Sequence, residues 1–179
     1  MIDYFASLIS QGYSFFLIWL IVFILLVKVY FDAYQKEAVT MLEAMNLLMA
    51  VCGLYVFYFW FHEAFTYFMS NTYAERYVFI THIKEPYGSV VWITTIVGSV
   101  LTQLFWIPKL RHNMVLSLFI WLSLHLEAII IFITSFFSDY LPSGWVTKPV
   151  SVGEQILSRV LYVGMVTGVY FFLWKRKKK

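Results

Sequence analysis

The chain has few charged residues and almost no cysteine. Only 13% of its 179 residues are Asp, Glu, Lys or Arg, about half the fraction usual in a soluble domain. The single cysteine, Cys52, excludes an internal disulfide and a cysteine-based metal cluster, and we expect it to be a packing residue. With 61% hydrophobic residues and a mean hydropathy of +0.76, the composition is that of a membrane protein.

Proline is absent from every long apolar stretch: all four prolines lie between these stretches. A helix needs about 20 mostly apolar residues to span the hydrocarbon core. Five stretches are that long, so we expect an all-α integral membrane protein with one membrane domain over residues 1–179. The predicted helices cover residues 14–33, 41–65, 88–107, 113–137 and 153–174. A signal peptide begins with a positively charged region, whereas the acidic Asp3 precedes the first apolar stretch of this chain. This difference favours a retained helix.

Basic residues are distributed unevenly between the two sides that five spans define. The side with the C-terminus carries nine of them, namely Lys28, Lys36, Lys109, Arg111 and the tail Lys175, Arg176, Lys177, Lys178 and Lys179; the other side carries Arg76, Lys84 and Lys148. The positive-inside rule therefore predicts an external N-terminus and a cytoplasmic C-terminus. We interpret the tail at 175–179 as an anchor that fixes this topology, with contact to anionic lipid as the alternative.

An ionisable residue inside a span costs at least ~2.5 kcal/mol unless it is paired or hydrated, and six residues of the predicted spans need an explanation on this ground. They are Glu43, His62, Glu63, His125, Glu127 and Arg159. At about 1.5 Å per residue, Glu43 lies near the cytoplasmic face, where it can snorkel, and His62 and Glu63 near the outer face. Glu127 is about 15 Å from the outer end of its span.

Arg159 is the predicted counter-charge of Glu127, because it lies about 10 Å inside the fifth span. A buried water chain is an alternative, as is a protonated Glu127, since burial disfavours the charged form. The pair would either fix helix register or handle protons. The sequence leaves these readings open.

The histidines do not fit a haem or a metal site. His62 and His125 lie at depths that differ by about 12 Å, although one haem iron needs both at one level, and no close zinc-ligand spacing occurs. The aromatic segment 53–68 has the composition of a quinone-site lining, but helix packing in lipid is the commoner reason for it. Gly88, Ser89, Gly98 and Ser99 would let the third helix approach its neighbours closely.

Three motifs in this order resemble a known family of membrane subunits. They are "FWFHEAFTYF" (59–68), "EPYGSVVWITTIVGSVLTQLFWIPKLRHN" (85–113) and "HLEAIIIFITSFFSDYLPSGW" (125–145). Together they resemble the back half of NrfD/polysulfide-reductase-C-like subunits, nearest to ActC, and next to ActF, of bacterial alternative complex III. The family's features fall on Glu63, Pro86, Tyr87, Lys109, Arg111, Glu127, Thr134, Ser135, Asp139, Leu141, Pro142, Ser143 and Trp145. The likeness covers roughly residues 38–175.

The resemblance implies a four-helix bundle plus one extra helix in the bacterial inner membrane. It also implies a subunit of a quinol:electron-acceptor oxidoreductase that binds no redox centre itself, with quinone nearby and haem c and iron–sulfur clusters in partner subunits. Expected partners are a membrane subunit supplying the front helix bundle, iron–sulfur and multihaem cytochrome c subunits, lipids and a terminal oxidase, but no nucleic acid. Glu127, His125, Glu63 and His62 would form an outer proton half-channel, with Glu43 and Gln103 on the inner side.

Two departures from the family pattern bear on these expectations. Ala128 stands where an arginine usually follows the core glutamate, so Glu127 needs another partner. The chain also has half of the family's helices, as a split-gene product, a truncated paralogue or an incomplete chain would. Two other classes remain open: a secondary transporter, which predicts broken helices at the midplane, and a structural subunit whose buried charges all pair within the fold.

Overall fold

The computed structural model describes the backbone of most of the chain, namely residues 2–30, 34–69, 77, 80–81, 88–137 and 152–177. Side chains are described for residues 8–27, 34–69, 77, 80–81, 93–126, 129, 153 and 156–177. Within these ranges the long elements are α1 (Ile2–Tyr30), α2 (Gln35–Met69), α3 (Gly88–Thr102), α4 (Met114–Phe137) and α5 (Val152–Lys177), with a 3-10 helix (Gln103–Trp106) after α3. The predicted all-α fold is confirmed.

Three of these helices contain described segments that are long and apolar enough to cross a membrane, at Leu8–Val27, Gln35–Met69 and Ile156–Lys177. Two more described segments, Ile93–Trp106 and Met114–Leu126, are apolar but shorter. The 15 residues of α3 rise about 22 Å and its 3-10 extension adds about 8 Å, which together match a hydrocarbon core of about 30 Å. The whole of α4, with 24 residues, rises about 36 Å.

Three of the helices extend beyond the apolar stretches that predicted them. The first helix begins at Ile2 rather than at 14 and is described to Tyr30, while residues 31–33 lie outside the described residues. The second covers Gln35–Met69 rather than 41–65, and the fifth covers Val152–Lys177 rather than 153–174. Hydropathy marks only the part of a helix that suits lipid, whereas helical hydrogen bonding continues into polar flanking residues. The fourth helix differs from its predicted start by one residue.

Four helices close into a ring, and the fifth packs against one side of it. Packed pairs in the ring are α1 with α2, α2 with α3, α3 with α4, and α4 with α1, while α5 packs against both α1 and α2. The arrangement therefore agrees with the expected four-helix bundle and extra helix. Its core includes Tyr13, Met45, Phe105, Ile120 and Tyr162, each at most 1% exposed.

Close helix contacts depend on two glycines. A Cβ atom at Gly12 would collide with the ring of Tyr162 in α5, and one at Gly53 would collide with the hydroxyl of Thr102 in α3. Small residues at helix interfaces allow backbones to approach in a membrane, where packing rather than hydrophobicity drives association. Gly12 and Gly53 thus set the spacing of α1 from α5 and of α2 from α3.

A buried amide joins three parts of the fold. The side chain of Asn46, fully buried in α2, accepts a hydrogen bond from the Tyr13 hydroxyl at 2.9 Å. Its amide nitrogen donates to the carbonyl of Arg111 at 2.6 Å and to the Ser117 hydroxyl at 2.8 Å. Because both ends of the amide are satisfied, a polar group that would be costly in lipid instead connects α2 to α1, α4 and the turn before α4.

The turn between the 3-10 helix and α4 is closed by its own side chains. The Arg111 guanidinium donates to the carbonyls of Phe105 and Trp106, at 3.2 and 3.1 Å. At the start of α4, the side-chain oxygen of Asn113 accepts hydrogen bonds from the backbone amides of Val115 and Leu116. Arg111 therefore caps one helix end and Asn113 the next, as terminal polar groups require.

Candidate functional site: a polar vestibule and an interior cavity

A cavity of about 670 Å³ lies between α1, α4 and α5. We call it the vestibule. Its lining combines three hydroxyls, an amide, an imidazole and a guanidinium with aromatic rings: Ser10, Gln11, Ser14, Phe15, Trp121, Leu124, His125, Ser158 and Arg159. A cavity of this size falls within the range of ligand sites. So many hydrogen-bonding groups also make it suitable for water.

His125 lies on the α4 wall of the vestibule. Its ring centroid is 4.7 Å from that of Trp121, one turn earlier, and the Trp121 indole donates to the carbonyl of Ser14 in α1 at 3.2 Å. The Nε2 atom of His125 is buried and has no hydrogen-bond partner in the described structure. A buried polar atom of this kind calls for a water, an ion or a ligand group beside it.

Arg159 lies on the α5 wall. Its side chain is exposed, and its guanidinium carbon is 4.2 Å from the centre of the Phe15 ring, a cation–π geometry. No described carboxylate forms an ion pair with it. The side chain of Glu127 lies outside the described residues, so its predicted pairing with Arg159 stays a prediction.

A second cavity, of about 210 Å³, lies inside the four-helix ring. We call it the interior cavity. Small and hydroxyl-bearing residues line much of it, including Thr94, Thr95, Ser99, Thr102 and Ser123, together with Cys52 and Gly53. Ser10 and Leu124 line this cavity as well as the vestibule. The two cavities are therefore neighbours that share part of one wall.

Gln103 closes a hydrogen-bond network beside the interior cavity. Its amide nitrogen lies 3.1 Å from the Ala50 carbonyl, the Ser99 carbonyl and the Thr102 hydroxyl. Its amide oxygen accepts from the Trp106 indole at 2.8 Å. Gln103, which was predicted to lie on the inner side of the proton path, thus contacts α3, the helix that carries most of the hydroxyl groups of the interior cavity.

Glu43 belongs to a separate cluster. Its carboxylate is 2.8 Å from the Lys177 ammonium and 3.8 Å from the Nδ1 atom of His112. Lys177 also donates to the Thr40 hydroxyl at 3.2 Å. The carboxylate is therefore paired with the C-terminal end of α5, a more specific contact than the snorkelling expected from its depth.

His62 and Glu63 lie near the C-terminal end of α2 and are not among the lining residues of the vestibule. His62 is exposed, with its ring centroid 6.2 Å from that of Tyr58, and Glu63 is partly buried. Among the five predicted ionisable residues whose side chains are described, His125 and Arg159 are the two that line the vestibule together. Among the side chains described, no three His, Cys, Asp or Glu residues are grouped as metal ligands.

Sequence reasoning missed the polar lining that surrounds His125. Ser10 with Ser14, and Trp121 with His125, are four residues apart, a spacing that places both members on one helix face. That spacing is the signal that could have found them. Asn46 was also missed, although a lone asparagine in an apolar helix usually bonds across an interface.

Comparison with known proteins adds no assignment: the chain matches no family model, no curated protein and no solved structure.

Chemically, the vestibule can bind a proton or a hydrogen-bonding ligand. An imidazole exchanges protons near neutral pH, and hydroxyls and waters can relay them. Arg159 supplies a permanent positive charge at the same opening.

Proposed function

We propose that this chain is a membrane subunit of a quinol-oxidising respiratory electron-transfer complex of the alternative complex III type. It contributes scaffold and a proton path beside the quinone site, while haem c and iron–sulfur clusters belong to partner subunits. The motif order and the five-helix arrangement support this proposal. The observation that carries the proton path is the vestibule with His125 in its wall and a buried, unpartnered Nε2 among the described residues.

The proposal includes the bacterial inner membrane, an external N-terminus and a cytoplasmic C-terminus. The uneven distribution of basic residues supports this orientation. In it, the vestibule opens toward the external half, because it is lined by the N-terminal parts of α1 and α5. Protons released by quinol oxidation would leave on that side.

Partner subunits complete the proposed complex. A second membrane subunit supplies the front helix bundle and the quinone pocket, and iron–sulfur and multihaem cytochrome c subunits carry electrons to an oxidase. Large apolar side chains exposed on α2, such as Phe61 at 62% and Phe68 at 71%, are available to lipid or to such a neighbour.

Continuous helices make the transporter alternative less suitable. A transporter is expected to break its helices at the bilayer midplane. In the described residues, α1, α2, α4 and α5 are uninterrupted, and α3 changes to 3-10 geometry only at its end.

The proposal is tested by purifying the native complex through an affinity tag on this chain. We expect iron–sulfur and multihaem subunits to co-purify, and the reduced-minus-oxidised spectrum to show c-type haem. A haem-free assembly of this chain alone would contradict the proposal. A tagged, unrelated membrane protein from the same cells controls for adventitious cytochrome.

A further inference from the structure

We infer that the vestibule and the interior cavity form one water-filled path through this chain, with Leu124 and Ser10 at the junction. This water path would be part of the proton path of the proposed function. Its role in proton transfer depends on that function, but its existence does not. The water itself follows from the geometry of the two cavities.

The interior cavity has the properties of a hydrated site. Its volume of about 210 Å³ corresponds to roughly seven waters at about 30 Å³ each. Empty cavities in proteins are apolar, and polar ones of sufficient size hold water. Hydroxyls from α3 and α4 line part of this one, beside apolar side chains such as Met49 and Val56.

The hydroxyl groups are oriented by their own helices and remain able to bind water. Thr102 donates to the Ser99 carbonyl at 2.7 Å, and Ser123 donates to the Ile120 carbonyl at 2.8 Å. Each donation uses the hydroxyl proton and leaves the oxygen lone pairs as acceptors, one of which on Thr102 accepts from Gln103. Waters can therefore donate to these oxygens without breaking a bond of the fold.

The junction determines whether the two cavities act as one. Ser10 and Leu124 line both cavities. A water that moves from one cavity to the other therefore has to pass only these two side chains. On the vestibule side, the unpartnered Nε2 of His125 gives such a water its first partner. A proton on His125 would then have a hydrogen-bonded route toward Thr102 and Gln103.

Cys52 provides a direct probe, because the only cysteine of the chain lines the interior cavity. Silver ion replaces a thiol proton, but it cannot cross apolar protein or lipid without water. Silver applied to the full-length chain in membrane vesicles therefore tests for a water path. After denaturation, a fluorescent maleimide measures the Cys52 thiols that did not react.

We expect folded protein to lose its Cys52 labelling on exposure to silver. Leu124→Trp, which fills the junction, should slow the reaction at least tenfold, whereas the control Leu122→Trp, at an exposed position two residues earlier, should leave the rate unchanged. Arg159→Gln removes a positive charge from the opening and should speed silver entry several-fold. This variant keeps the test decisive if Leu124→Trp does not fold.

Silver-resistant Cys52 in the folded wild type would overturn the inference. So would equal rates in Leu124→Trp and Leu122→Trp, or an unchanged rate in Arg159→Gln. The labelling needs no quinol, haem or partner, so its result is independent of the proposed respiratory role. A haem-free complex with reactive Cys52 would refute that role and leave the water path in place.

Discussion

Single polar side chains inside the helices carry much of the fold's specificity. Asn46 contacts three separate parts of the chain, and Gln103 satisfies the hydroxyl and carbonyl groups between α2 and α3. In a membrane, where apolar burial between helices contributes little, such bonds and close packing decide which helices pair. In the described part of the chain, the buried His125 Nε2 and Tyr162 hydroxyl have no hydrogen-bond partner, and Arg159 has no carboxylate partner.

Asn46→Leu is expected to destabilise the protein by about 1–3 kcal/mol, because the Tyr13 hydroxyl and the Arg111 carbonyl lose their partner. Unfolding in a denaturing detergent measures the effect. Thr167→Val is the matched control, since this exposed residue bonds only to its own helix in the described structure. Equal stability of the two variants would show that the Asn46 network contributes nothing.

At the scale of the element, the closest helix contacts are fixed by glycine rather than by large side chains. Gly98 and Ser99, two of the small residues predicted to bring the third helix close to its neighbours, line the interior cavity instead, and an added Cβ at Gly98 would make only an ordinary contact with Ser123. The side chains at positions 88 and 89 lie outside the described residues. Gly53 was not recognised as a contact, because sequence spacing on one helix does not reveal which residue faces it. Thr102 supplies that partner from α3.

Gly12→Ala and Gly53→Ala should each destabilise the protein by about 1–3 kcal/mol, the usual cost of overpacking. Gly164→Ala is the control, because an added Cβ there meets none of the described atoms within 4 Å, and the variant should gain up to about 1 kcal/mol of helix propensity. Thermal unfolding of the three variants in one detergent compares them. Destabilisation by Gly164→Ala equal to that of Gly53→Ala would contradict the close-contact account.

The sequence predicted the large-scale features of the fold but only part of the candidate site. Long apolar stretches predict spanning helices because lipid requires them, and five such stretches correspond to α1 to α5. The vestibule forms where particular faces of α1, α4 and α5 meet, and the sequence of a single helix does not show which faces these are. His125 and Arg159 were therefore predicted as individual residues but not as members of one cavity. Glu43 was placed at the correct end of α2, yet Lys177 is 134 residues away in sequence and no local pattern identifies it.

For the whole molecule, the start of the C-terminal tail connects two helices, because Lys177 at the end of α5 pairs with Glu43 in α2. Lys177→Ala should lower stability by about 0.5–1 kcal/mol at low salt, the typical value for a partly exposed ion pair, and high salt should reduce the difference. Lys175→Ala, in the same tail, controls for the loss of positive charge. A salt-independent effect, or an equal effect of the control, would contradict the Glu43 pairing.

We propose that protons move through this chain during quinol oxidation, and the proton-to-electron ratio of the native complex in vesicles tests this claim most directly. We expect Glu127→Gln and His125→Gln to lower this ratio, because an ionisable residue within a membrane span is a typical relay group, and Thr167→Val to leave it unchanged. A ratio equal to that of the wild type in both Glu127→Gln and His125→Gln would contradict the claim.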